Sequence, residues 1–143
     1  NTFGAELLIS YQPLYSTIKS VLLSYSFLDM DKESGGLDSK YALDYQKNKI
    51  NLEIRHTIIS TLSANWTCTF IDRSGDYSDF LTNERITYSP YLLINTRFSW
   101  ERTGFTVFSD INNVLNQHYS DFGGLEQPGI NFNLGIKIKI TGN

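Results

Sequence analysis

The chain has 143 residues, a net charge of −3, 14% aromatic residues, three prolines and one cysteine. That length suits one ordinary domain, and the lack of a basic patch argues against a nucleic-acid partner. The lone Cys68 excludes an internal disulfide and offers no metal-ligand spacing, while nine tyrosines and nine phenylalanines favour β structure.

In chain order, Ala5, Leu7, Ile9 and Tyr11 alternate with Glu6, Leu8, Ser10 and Gln12, which predicts a first strand ended by Pro13. A short connector leads to a second strand over Ile18 to Met30, where Val21, Leu23, Tyr25 and Phe27 oppose Leu22, Ser24, Ser26 and Leu28. The segment Asp29 to Gly36 breaks the pattern with charge and glycine. The third strand, about Tyr45 to Ile58, sets Ile50, Leu52 and Ile54 against Lys49, Asn51, Glu53 and Arg55. The fourth follows almost at once, with Leu62, Ala64, Trp66, Cys68 and Phe70 on one parity. Cys68 therefore reads as a small hydrophobe on the apolar face of a strand.

After a polar stretch, Asp72 to Ser89, the fifth strand spans about Tyr91 to Glu101. Arg102-Thr103-Gly104 makes a tight turn into a sixth strand, about Phe105 to Leu115. A glycine-containing loop, Gln117 to Pro128, precedes the last strand. There Phe132, Leu134, Ile136, Ile138 and Ile140 alternate with Asn131, Asn133, Gly135, Lys137 and Lys139, so one face is apolar and the other polar and cationic.

The strands are roughly ten to thirteen residues, against about five or six in most soluble domains. Such lengths suit a tilted membrane crossing. Connectors alternate short and long, the outer-membrane barrel pattern of short periplasmic turns and long extracellular loops. Strand length and connector asymmetry favour the membrane. A soluble barrel or sandwich gives the same alternation with the faces reversed, so periodicity alone leaves both open. No run of about eighteen apolar residues predicts a transmembrane helix. No signal peptide is evident, and the abrupt start at Asn1 suggests a piece of something longer.

Chemistry-bearing motifs are sparse. His56 and His118 are expected at opposite ends of the sheet, and no nucleophile elbow, phosphate loop or paired-His metal motif occurs. An enzyme is not expected. Asn65-Trp66-Thr67 matches a glycosylation sequon but lies mid-strand. Asp29, Asp31 and Glu33 have the start of a calcium-loop spacing without its remainder, which reads as a solvated loop. No metal or cofactor is expected.

Three segments carry a family resemblance: Tyr91 to Trp100, Asp110 to Tyr119 and Gln127 to Ile130. They resemble the final strands of TonB-dependent outer-membrane receptors, whose hallmark "N-L-[FL]-N-x-x-Y" reads here Asn113-Val114-Leu115-Asn116-Gln117-His118-Tyr119, with Val114 for the usual Leu. Tyr41 to Tyr45, Asp72 to Gly75 and Tyr119 to Gly123 resemble Bacteroidetes-type, cobalamin-receptor-like members. The terminal strand is similar to an outer-membrane assembly signal, except that Thr141-Gly142-Asn143 stands where an aromatic usually ends it.

The resemblance implies an all-β fold. Residues 1–143 would be an antiparallel transmembrane barrel segment of about seven strands, the C-terminal third of a 22-stranded barrel. It implies partners: outer-membrane lipid, the remaining strands and plug from the same or another chain, TonB through that plug, and a surface lipoprotein. It implies energised import of a scarce nutrient, cobalamin-like or a ferric chelate, across the bacterial outer membrane. Ligand contacts would come from the long loops, at Tyr77, Asp79, Phe80, Tyr119, Asp121 and Phe122. Two other classes remain open: a structural barrel component of a surface complex without transport, and a soluble ligand-binding barrel.

Overall fold

A computed structural model describes residues 1–31, 45–79 and 81–140. The motif Tyr41 to Asp44, the residues Glu33 and Phe80 and the tail 141–143 lie outside the described residues. Seven long strands form one antiparallel sheet: β1 (Thr2–Tyr11), β2 (Ile18–Met30), β3 (Tyr45–Ile59), β4 (Leu62–Ser74), β7 (Tyr91–Arg102), β8 (Phe105–Asn112) and β11 (Asn131–Ile138). They pair in that order, and the sheet is open, with β1 and β11 as its edges. Between them lie two short hairpins absent from the sequence reading. The pair β5 (Asp76–Ser78) and β6 (Arg85–Thr87) stands in one long loop, and β9 (Ser120–Asp121) with β10 (Leu125–Glu126) in another, the latter pair joined by a one-turn 3-10 helix.

The register keeps each parity intact from strand to strand. Ile54, Trp66 and Thr96 stand side by side, followed by Ile111 and Phe132, and a second row runs Leu7, Tyr25, Ile50, Phe70 and Leu92. A one-residue slip would move every one of these side chains to the other face, so the apolar pattern fixes the pairing. The face is uncovered by any described element: Leu134 is 80% exposed and Trp66, in the middle of the sheet, 37%. Two of its polar side chains pair locally. Trp66 Nε1 donates to His56 Nε2 at 3.2 Å, and near the long-loop end Tyr25 Oη donates to Asn48 Oδ1 at 2.9 Å.

The opposite face is held by polar ladders. Thr69 Oγ1 donates to Asn51 Oδ1 at 2.8 Å, and Arg97 makes a two-pronged pair with Asp110, at 2.5 and 2.8 Å. The Arg97 guanidinium also lies 4.6 Å from the Phe108 ring centre. That ring covers Gly135, where an added Cβ would fall 2.3 Å from the ring. A bare backbone at Gly135 therefore lets an aromatic lie flat inside a polar face. A bulge between Ile18 and Ser20 interrupts the β2–β3 register, and Lys19 lines the polar side.

Strand ends differ from expectation most at β4 and β8. β4 runs on to Ser74, where its partner β3 still offers hydrogen bonds through Tyr45. β8 stops at Asn112, short of Leu115, because Asn113 turns the backbone to φ 51°. A left-handed backbone suits asparagine among the non-glycine residues.

Candidate functional site

The hallmark segment is a structural knot. Asn113, 4% exposed, accepts from the Gln117 amide at Oδ1 (2.9 Å) and donates from Nδ2 to the carbonyls of Gln117 (2.8 Å) and Pro128 (3.3 Å). Its own amide donates to Asn95 Oδ1 at 2.8 Å. Gln117 Oε1 accepts from the Leu92 amide at 3.1 Å. Asn116, also left-handed at φ 49°, accepts from the Ile130 amide at 2.9 Å, and an added Cβ on Gly129 would meet its Oδ1 at 2.4 Å. The two asparagines of the motif and the Pro128-Gly129 pair thus fasten β7, β8 and the entry to β11 to one another.

Beyond this knot, the long loops close around a hollow of about 270 Å3. Tyr91 and Tyr119 stack beneath it with ring centres 4.4 Å apart, and Tyr77 packs on Tyr88 at 5.0 Å. Arg73 at the end of β4 binds Asp121 in β9, and its guanidinium lies 5.5 Å from the Tyr88 ring centre. The Gly123 amide donates to Tyr88 Oη at 2.8 Å. Gly124, at φ 73°, lies against Tyr77; an added Cβ would fall 2.1 Å from that ring. These contacts join the loop after β4 to the loop after β8. His118 and Glu126 stand at the rim, 3.7 Å apart. Burial, followed by the nearby Asp121 charge, pushes the Tyr119 hydroxyl pKa up.

Of the residues expected to touch a ligand, Tyr77 and Tyr119 line this hollow. Asp121 supports its wall through Arg73, and Phe122 is half exposed in the 3-10 turn. Asp79 instead builds the tip of the β5–β6 hairpin. Its Oδ1 accepts from the Leu81 and Thr82 amides at 2.8 and 2.9 Å, and from Thr82 Oγ1 at 3.2 Å. The Thr82 amide first, then that of Leu81, hold its carboxyl below the ordinary value of 3.8. Sequence reasoning overlooked Arg73, Tyr88, Tyr91 and Gln117. Tyr88 and Tyr91 flank Pro90 in a tyrosine-rich run, a local signal that could have marked them.

A second and larger hollow, about 530 Å3, opens on the polar face toward the short turns. Its walls come from β3, β4, β7 and β8 and include Arg55, Thr67, Asn95, Arg97, Glu101 and Asn112. The sheet therefore curves with its polar side inward and its apolar side outward. A sheet wrapped around an apolar core would curve the other way. Among the described residues no group of three or more His, Cys, Asp and Glu is placed to hold a metal ion, and no helix is long and apolar enough to cross a membrane. Comparison with family models, with curated proteins and with solved structures finds no match to the chain.

Proposed function

We propose that the chain is a wall of an outer-membrane β-barrel of the TonB-dependent receptor type, serving the energised import of a scarce, bulky nutrient such as a cobalamin-like compound or a ferric chelate. The observation that carries this reading is the sense of curvature: polar side chains line the hollow, and the outward face is a continuous apolar surface. In a bilayer that surface meets acyl chains; the inner strands' backbone groups are satisfied by their neighbours, and the edges of β1 and β11 need partner strands. The Arg97–Asp110 pair and the ionisable residues Glu53, Arg55 and Glu101 then face a wet lumen, where charge costs little. In this reading the knot at Asn113 to Tyr119 anchors the loops that present the tyrosine-lined hollow for capture. TonB would supply energy through a plug domain, and the wall's part is a rigid frame.

The two tryptophans of the chain, Trp66 and Trp100, both lie on the outward face, which makes the reading directly testable. The chain is folded into vesicles whose acyl chains carry bromine, and tryptophan emission is recorded. Acyl-chain bromine should quench strongly and aqueous acrylamide weakly. Absence of a bromine effect would sink the membrane assignment, with strong acrylamide quenching placing the tryptophans in water and weak quenching placing them in a protein core.

A further inference from the structure

The short-turn end of the outward face carries a cation on an aromatic platform. Arg102, the last residue of β7, lies with its guanidinium 5.1 Å from the Trp100 ring centre, and Trp100 is braced edge-on by Phe105 at 5.9 Å. Arg102 is exposed and has no ion pair or hydrogen-bonded acceptor among the described residues, so its forked donors are available to a ligand. The Lys139 amide donates to the Gly104 carbonyl at 2.9 Å, which carries the β8–β11 pairing one residue past Ile138. Trp66 and Phe98 extend the aromatic rim, edge to face at 6.0 Å. By the alternation of β11, Lys137 and Lys139 fall on the polar face, with Arg55, Arg97, Glu101 and Asp110. Arg55 and Lys19 line the polar hollow, so Arg102 is the cation set on the outward side.

We propose that this rim docks the headgroup of an anionic phospholipid: the Arg102 fork takes the phosphate, and Trp100 holds the glycerol region. The proposal rests on the membrane reading above. A planar guanidinium stacked on an indole is already ordered, and its fork matches two phosphate oxygens. A guanidinium held at the membrane surface with no acidic partner attracts an anionic leaflet more than a neutral one.

The test folds the chain into phosphatidylcholine vesicles with and without equimolar phosphatidylglycerol. Retained lipid is read by native mass spectrometry, and bromine quenching of the tryptophans is run in parallel to report insertion. Phosphatidylglycerol should be retained in preference. Arg102→Gln should lower that preference about fivefold, and Arg102→Lys, which keeps the charge but not the fork, should recover only part of it. Arg85→Gln removes the same charge at the opposite end of the sheet and should leave the preference intact. Insertion with no preference for phosphatidylglycerol overturns the headgroup site alone, as does an equal loss in Arg102→Gln and Arg85→Gln. Absence of bromine quenching in both kinds of vesicle overturns the membrane reading and this site with it.

Discussion

Asn113 does most of the fastening at the long-loop end, and its replacement has a calculable effect. Removing the side chain leaves the Gln117 amide and the Gln117 and Pro128 carbonyls without it, in a site that is 4% exposed. An orphaned buried polar group costs about 1–3 kcal/mol, so Asn113→Ala should lower stability by at least that amount, measured by equilibrium unfolding in detergent micelles. Asn113→Gly tests the cause. It relieves the left-handed backbone but still lacks the amide, so it should recover only part of the loss. Asp79 gives a pH-dependent counterpart. Its folded-state pKa is depressed, so its contribution to the hairpin tip is present above 3.8 and is lost as pH falls from there through the lower folded value. The amide resonances of Leu81 and Thr82 should move together with an apparent midpoint below 3.8. A midpoint at or above 3.8 would show that the carboxylate does not cap this turn in solution.

The strands were legible because alternation is a local signal. Each parity in β3, β4, β7 and β11 can be read without knowing its neighbour, and the register then follows from keeping apolar residues in one plane. The edge strand β11 makes the sharpest test of that plane. Ile136 and Lys137 are adjacent in sequence and opposite in facing, with Ile136 beside Val107 and Lys137 beside Thr106. On a lipid-facing wall Ile136→Arg should impair membrane assembly by about 2–4 kcal/mol if it sits at mid-depth, whereas Lys137→Gln should leave folding near wild type, both scored by the yield of protease-resistant, membrane-inserted chain. The reverse ranking would mean that the faces are exchanged. What the sequence could not convey at this scale were the small hairpins. β5–β6 and β9–β10 are two or three residues long, too short for alternation to register, and they are held by the turn at Asp79 and by the packing of Tyr77 on Gly124.

At the scale of the whole molecule, the candidate site depends on contacts that no local pattern announces. Arg73 and Asp121 are 48 residues apart, and Tyr88 and Gly123 are 35 apart. Composition marks the loops as rich in aromatics and acids. Only the fold brings two of those loops together into one tyrosine-lined hollow and turns Asp79 away to a structural task. The same holds for curvature: alternation yields two faces, and the hollow lined by Arg55 and Asn95 reveals which of them is inside. Direction along the sheet has a further consequence. β1 begins beside Met30, at the long-loop end, and finishes at Tyr11 by the first short turn; β11 begins beside Asn112 and finishes beside Phe105, again running from loops to turns. The two free edges therefore point the same way. Copies of this sheet set side by side with their loops on one side of a membrane can meet only through parallel seams. An antiparallel closure has to place an odd number of additional strands between β11 and β1, and that arithmetic constrains any partner that completes the wall.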